Sequence, residues 1–396
     1  MSAHSAARSR WLVLAIFVLS TAINYLDRAT LATVGPAITD EFHLSHAEFG
    51  WIVYAFMLTY MLSAPFAGML VDRMGLNHAA TLAVGLWSLA GIATGFSRGL
   101  AGLAGCRAVL GVAEAGGIPA AGKAIHRFLK PEERGLGNAI NQLAVSLGLV
   151  LAPPIATVVW ARSGWRAAFI VTGVLGLAWI PLWRWALTHA PAFAASDTEA
   201  SIGGRPVRDP RLWLLAVANA LSMAPYFLWT NFTTFYLKDV WRMTLAQAAW
   251  YAWIPPVLGA AGGFSGGWLS LAAMRRGAPA VQARFRVCLA AAVLSLATAA
   301  IPAAQSAPWA CFGISVSFFA AAAFSVNMYS LPLDLFGGSH AAFVVSMLTA
   351  SAGAAGLVAP YFGRLIDLHG YAPVTAIAAV TPLAACALLS ILRPGR

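Results

Sequence analysis

The chain has 396 residues, 60% of them hydrophobic and only 10% charged, with a mean hydropathy of +0.74. A soluble domain carries about 25% charged residues, so a water-soluble enzyme or binding module is excluded. The formal net charge of +11 forms no nucleic-acid surface, because no basic run longer than a pair occurs outside the loops.

Apolar runs punctuated by Gly, Pro and charge predict an all-α membrane protein of twelve spans. They begin near Trp11, Phe49, Ala79, Gly99, Gly135 and Trp165, then near Arg211, Leu245, Phe285, Ala307, Ala341 and Tyr371. Arg8 and Arg10 precede a first run too long for a secretory leader, and no small-residue cleavage site follows it. The one long polar stretch, 188–208, is expected to be a cytoplasmic linker between two six-helix bundles, 1–187 and 209–396. Most of the 25 Lys and Arg fall in the termini and the even-numbered loops. The positive-inside rule then places both termini in the cytoplasm. Cys106, Cys288, Cys311 and Cys386 lie in apolar runs without metal-ligand spacing and read as buried thiols.

Four charges break the apolar rule well inside a span: Asp27 and Arg28 in the first, Arg107 and Glu114 in the fourth. Ionisable groups at that depth are costly and face a protein interior or a water-filled cavity. Arg107 and Glu114 are two turns apart on one helix face, about 10 Å in depth. The first span runs outward and the fourth inward, which sets Asp27 level with Arg107. An Asp27–Arg107 pair is therefore expected, because an unpartnered buried charge costs several kcal/mol. Arg28 points about 100° away from Asp27, free to face a substrate carboxylate, which its planar fork fits better than an ammonium. A carboxylate beside an arginine can act as a proton switch. The competing reading is a purely structural ion network locking helix 1 to helix 4. The second half has only neutral groups at depth: Tyr226, Trp229, Thr230 and Asn231, then Asn327 and Tyr329, then Ser346, Thr349 and Ser351. Beside aromatics these suit hydroxyls and the apolar face of a sugar-like ligand. Tyr25 and Tyr60, with Asn141, Gln142 and Ser146 of the fifth span, could complete such a site from the first half. A lone polar residue in a membrane helix is about as often helix–helix glue.

The halves repeat. Gly68-Met69-Leu70-Val71-Asp72-Arg73-Met74-Gly75 ends the second span, and Gly267-Trp268-Leu269-Ser270-Leu271, followed by Arg275-Arg276-Gly277, ends the eighth. Parallel repeats with a midplane site between them are a transporter architecture. The G-x-x-x-D-R-x-G loop resembles the signature of the major facilitator superfamily. INYLDRATL (23–31), CRAVLGVAEAGGIPAAGKAI (106–125), GLVLAPP (148–154) and GWRAAFIVTGVLG (164–176) resemble its anion:cation symporter family, particularly the hexuronate and aldonate transporters.

That resemblance implies a secondary transporter of two bundles, not an enzyme, without a cofactor or bound metal. It implies proton-coupled uptake of an organic monoanion, a hexuronate or aldonate sugar acid, by a monomer in the bacterial inner membrane. Asp27 and Glu114 would carry protons, Arg107 would couple them, and Arg28 would anchor the anion. Tyr60, Asn327, Tyr329 and Thr349 fall near its substrate-contacting positions. Asp72, Arg73 and Asp334 read as gating or capping residues at the cytoplasmic ends. Two other readings stay open: uptake of another monocarboxylate such as an aromatic acid, and a membrane sensor that binds such an anion without moving it.

Overall fold

The computed structural model describes residues 3–130, 133–188, 206–336 and 338–392, and every regular element among them is helical. The linker expected over 188–208 lies largely outside these residues. Among the described residues, eleven continuous helical stretches are long and apolar enough to cross a membrane. One of them, Leu136–Thr188, contains two crossings, because Gly164 leaves the helical region with φ 78° and ψ 169°. A straight helix of that length would span about 80 Å, far more than a bilayer. The reversal at Gly164 restores the expected twelve.

In chain order the crossings are α1 (Ser9–Phe42), α2 (His46–Val71), α3 (Leu76–Thr94), α4 (Leu100–Phe128), α5 (136–163) and α6 (165–188). The second set is α7 (Pro210–Trp241), α8 (Leu245–Arg275), α9 (Ala280–Ala303), α10 (Ala307–Met328), α11 (Phe343–His369) and α12 (Tyr371–Leu392). The internal repeat extends to the helix caps. Ser45 and Glu48 form a reciprocal capping box at the start of α2, and Thr244 and Gln247 form one at the start of α8. The offset between Ser45 and Thr244 equals that between Gly68 and Gly267, 199 residues.

Small residues set the helix contacts that position the interior charges. A Cβ on Gly111, midway between Arg107 and Glu114, would meet the Phe56 carbonyl oxygen at 2.4 Å, so α2 and α4 touch backbone to backbone. A Cβ on Gly262 would meet the Phe319 oxygen at 2.2 Å and fixes α8 against α10 in the same way. Large apolar side chains such as Trp250, Phe264 and Trp309 point outward, as lipid-facing side chains do. α4 is interrupted at Ala115-Gly116, immediately after Glu114. Irregular backbone at membrane depth is tolerated where protein or a cavity surrounds it.

Candidate functional site

All four interior charges come together, but with different partners from those the helical wheel suggests. Arg28 donates from Nε to Glu114 Oε2 at 2.5 Å. Its guanidinium sits in an aromatic cage, 5.0 Å from the Tyr25 ring centroid, 5.1 Å from Phe56 and 4.8 Å from Tyr60. Cation–π contacts of this kind replace part of the water around the half-buried guanidinium. Tyr60 is buried and stacks on Phe56, which braces one wall of the cage. Glu114 is 1% exposed and its second oxygen, Oε1, has no hydrogen-bond partner.

Asp27 turns the other way, toward α3 and α6. Its Oδ1 accepts from Thr172 Oγ1 at 2.7 Å, a Cβ on Gly91 would meet that oxygen at 3.4 Å, and Oδ2 is unpartnered. Arg107 lies over the Phe169 ring, one turn before Thr172, with Nε and Nη2 buried and unpaired. The expected Asp27–Arg107 ion pair is therefore not formed; the salt bridge joins Arg28 to Glu114. The physical reason is reach. The wheel places Cβ atoms, whereas a long arginine side chain crosses the axial offset to a carboxylate on another level.

The neutral candidates separate into two groups. Tyr25 and Tyr60 belong to the cage around Arg28, and Tyr226 stacks edge-on against Phe318. Tyr329 is partly buried against apolar side chains of α7, α9, α10, α11 and α12, and its hydroxyl lies beside the side chains of Thr349 and Asn219. Gln142 is exposed on α5, while its neighbour Asn141 accepts a hydrogen bond from Thr21 at 2.9 Å. The others are taken up by packing. Trp229 is 1% exposed and lies edge-on to Tyr236 in the largest apolar cluster. Asn327 is fully buried and donates to the Gly266 and Ala323 carbonyls, bridging α8 to α10. Asn231 donates to the Phe227 carbonyl within its own helix; Thr349 donates to that of Val345 and also meets the Tyr329 hydroxyl. Of the proposed gating residues, Arg73 is exposed and Asp334 pairs with Arg284 of α9. The Asp72 side chain lies outside the described residues.

Thr172 and Asn219 are polar contributors that the sequence reading passed over. Asn219 donates to the Leu348 carbonyl and to Ser351 Oγ, tying α7 to α11. The only signal for Thr172 was its place inside GWRAAFIVTGVLG, and for Asn219 its amide in an apolar run.

Twelve helices in two repeated sets, enclosing a cluster of buried charge, define a multi-pass membrane transporter. The family description Major Facilitator Superfamily matches residues 17–347, and the chain belongs to that superfamily. A probable sulfoacetate transporter of Cupriavidus necator is 28% identical over 92% of this chain and 89% of its own length. The hexuronate transporter of Escherichia coli K12 is 27% identical over 94% and 91%. Among solved structures, a bacterial homolog to the human lysosomal transporter Spinster superposes with a TM-score of 0.77 at 21% identity, covering 96% of both chains. The relatives are transporters, not enzymes.

Proposed function

We propose that this chain takes up a small organic anion of the sugar-acid class by proton symport. The observation that carries this reading is the interior Arg28–Glu114 pair, with the carboxylate buried and the partly accessible guanidinium inside its aromatic cage. While Glu114 is ionised it holds the Nε–H edge of the guanidinium and neutralises the charge that an incoming carboxylate needs. Protonating Glu114 releases Arg28, so proton and anion bind together, and bidentate Arg–carboxylate geometry gives the anion its anchor. Asp27, held by Thr172 beside the unpaired Arg107, is a second proton carrier. The tyrosines of the cage offer hydroxyls and ring faces to a polyol chain. Both termini are cytoplasmic in this reading, the two six-helix bundles rock about the site, and the monomer is the working unit. The names of the relatives support the substrate class: hexuronate and galacturonate on one side, sulfoacetate on the other. A sulfonate also fits a guanidinium, so the panel that tests the proposal contains both kinds. Purified protein in proteoliposomes should accumulate a sugar acid only with an inward proton gradient. Uptake of every panel member at the same rate with and without the gradient would refute the coupling.

A further inference from the structure

The two halves also meet around one histidine far from the interior charges, at the end of the molecule that carries the α1–α2 turn. His46 opens α2. Its Nδ1 lies 2.6 Å from Asp367 Oδ1 near the end of α11, and its Nε2 lies 2.9 Å from Asp239 Oδ2 near the end of α7. Asp367 also accepts from the backbone N–H groups of His46 at 3.0 Å and Ala47 at 2.9 Å. Asp239 also accepts from the Tyr371 hydroxyl of α12 at 2.9 Å. Charged groups close to it include Glu48, whose carboxylate caps Ser45, and the Asp40–Lys238 pair, with exposed Arg242 and His369 just beyond the two aspartates in the chain. Arg364, one turn before Asp367, is exposed. Among the described residues, every ion pair between the halves lies at this end.

A neutral imidazole has one N–H and one lone pair. Here each ring nitrogen faces a carboxylate oxygen, and a lone pair cannot face another at 2.6 Å. Each contact needs a hydrogen, so the closed arrangement holds one proton more than a neutral histidine between two carboxylates. Moving α7 and α11 away from α2 removes both acceptors, leaving an imidazole that titrates near its ordinary value of about 6.5.

We propose that His46, Asp239 and Asp367 form a second proton-binding site, separate from the interior carboxylates, whose occupancy closes this end of the transporter. Closing takes up a proton wherever the open state lacks one. Closure is therefore fully supported below about pH 6.5 and weakens as the pH rises above it, by at most about tenfold in the closed-to-open ratio per pH unit. In the orientation proposed above this is the outer end, so the site reads the pH outside the cell. The site depends on neither the substrate nor the coupling residues.

The test needs no substrate and no membrane gradient. Spin labels at Arg98→Cys and Gln305→Cys, exposed positions in turns of the two halves at this end, report its opening in detergent. The four native cysteines are replaced beforehand. Across pH 5.5 to 8.0 the short-distance population should shrink in the parent protein, whereas His46→Gln should flatten the profile. The Asp27→Asn, Glu114→Gln double variant should retain the His46-dependent slope. If His46→Gln is not monodisperse on size exclusion, Asp239→Asn is read by the same criterion. A parent-like slope in the variant that folds, or no slope in the parent, overturns the proposal. So does a slope that disappears in the interior double variant and persists in His46→Gln.

Discussion

Arg28 is the residue on which the proposed chemistry turns. Its guanidinium is held by one carboxylate and three aromatic rings, an arrangement that depends on a planar, delocalised cation. Lysine keeps the charge but offers neither the fork nor the stacking. Arg28→Lys should weaken anion binding roughly tenfold to a hundredfold, about 1.5–3 kcal/mol for a lost charge-assisted contact. Tryptophan fluorescence titration of purified protein would measure it, and an affinity equal to that of the parent would remove Arg28 as the anchor. Asn327 is a contrasting case. Its amide nitrogen is committed to two carbonyls between α8 and α10, so Asn327→Ala should lower thermal stability by about 0.5–1.5 kcal/mol and leave the order of preferred sugar acids unchanged. A reordered preference in uptake assays would return Asn327 to the substrate site.

At the scale of the helices, the close backbone contacts predict which glycines matter. Gly262→Ala puts a methyl group against the Phe319 carbonyl and should cost about 1–3 kcal/mol by overpacking, more than the helix propensity that alanine adds. Gly105→Ala, where a Cβ meets nothing within 4 Å, should be neutral or slightly stabilising. Melting of the monodisperse peak on size exclusion separates the two; equal midpoints would mean that α8 and α10 are not held by this contact. The elements themselves were legible in the sequence, because span length, terminal charge and the Gly68/Gly267 repeat each carry a strong signal. Pairing within the site was less so. Helical periodicity locates a Cβ, and the Arg28–Glu114 contact is decided by the reach of a long side chain. Thr172 was missed for a related reason: one hydroxyl in an apolar run has no pattern, and only the approach of α6 to α1 gives it a partner. The His46 cluster escaped because its three residues come from three helices and meet only when the halves do.

At the scale of the whole molecule, charge is distributed unevenly. The Arg28–Glu114 pair lies deep in the first half, the second half offers neutral groups at that depth with its Arg284–Asp334 pair near one end, and ion pairs between the halves gather at the other end. The Asp40–Lys238 pair among them is partly exposed, with 66% of the aspartate side chain accessible. Such pairs are worth at most about 1 kcal/mol and are screened by salt. Lys238→Met should shift the closed population at that end by no more than about fivefold, and less in high salt. Spin-label distances would show it, and a transporter held fully open by this single change would mean that Lys238, not His46, is the main lock.

In the proposed mechanism Glu114 and the substrate anion compete for Arg28, and a proton decides between them. The most direct test is the affinity of purified protein for a sugar acid across a pH series, in the parent and in Glu114→Gln. Parent affinity should fall as the pH rises, because the ionised carboxylate takes back the guanidinium. In Glu114→Gln it should stay high with most of the pH dependence gone, while gradient-driven accumulation in proteoliposomes is lost and counterflow exchange survives. A Glu114→Gln protein that binds the anion with the parent's pH dependence would contradict the account.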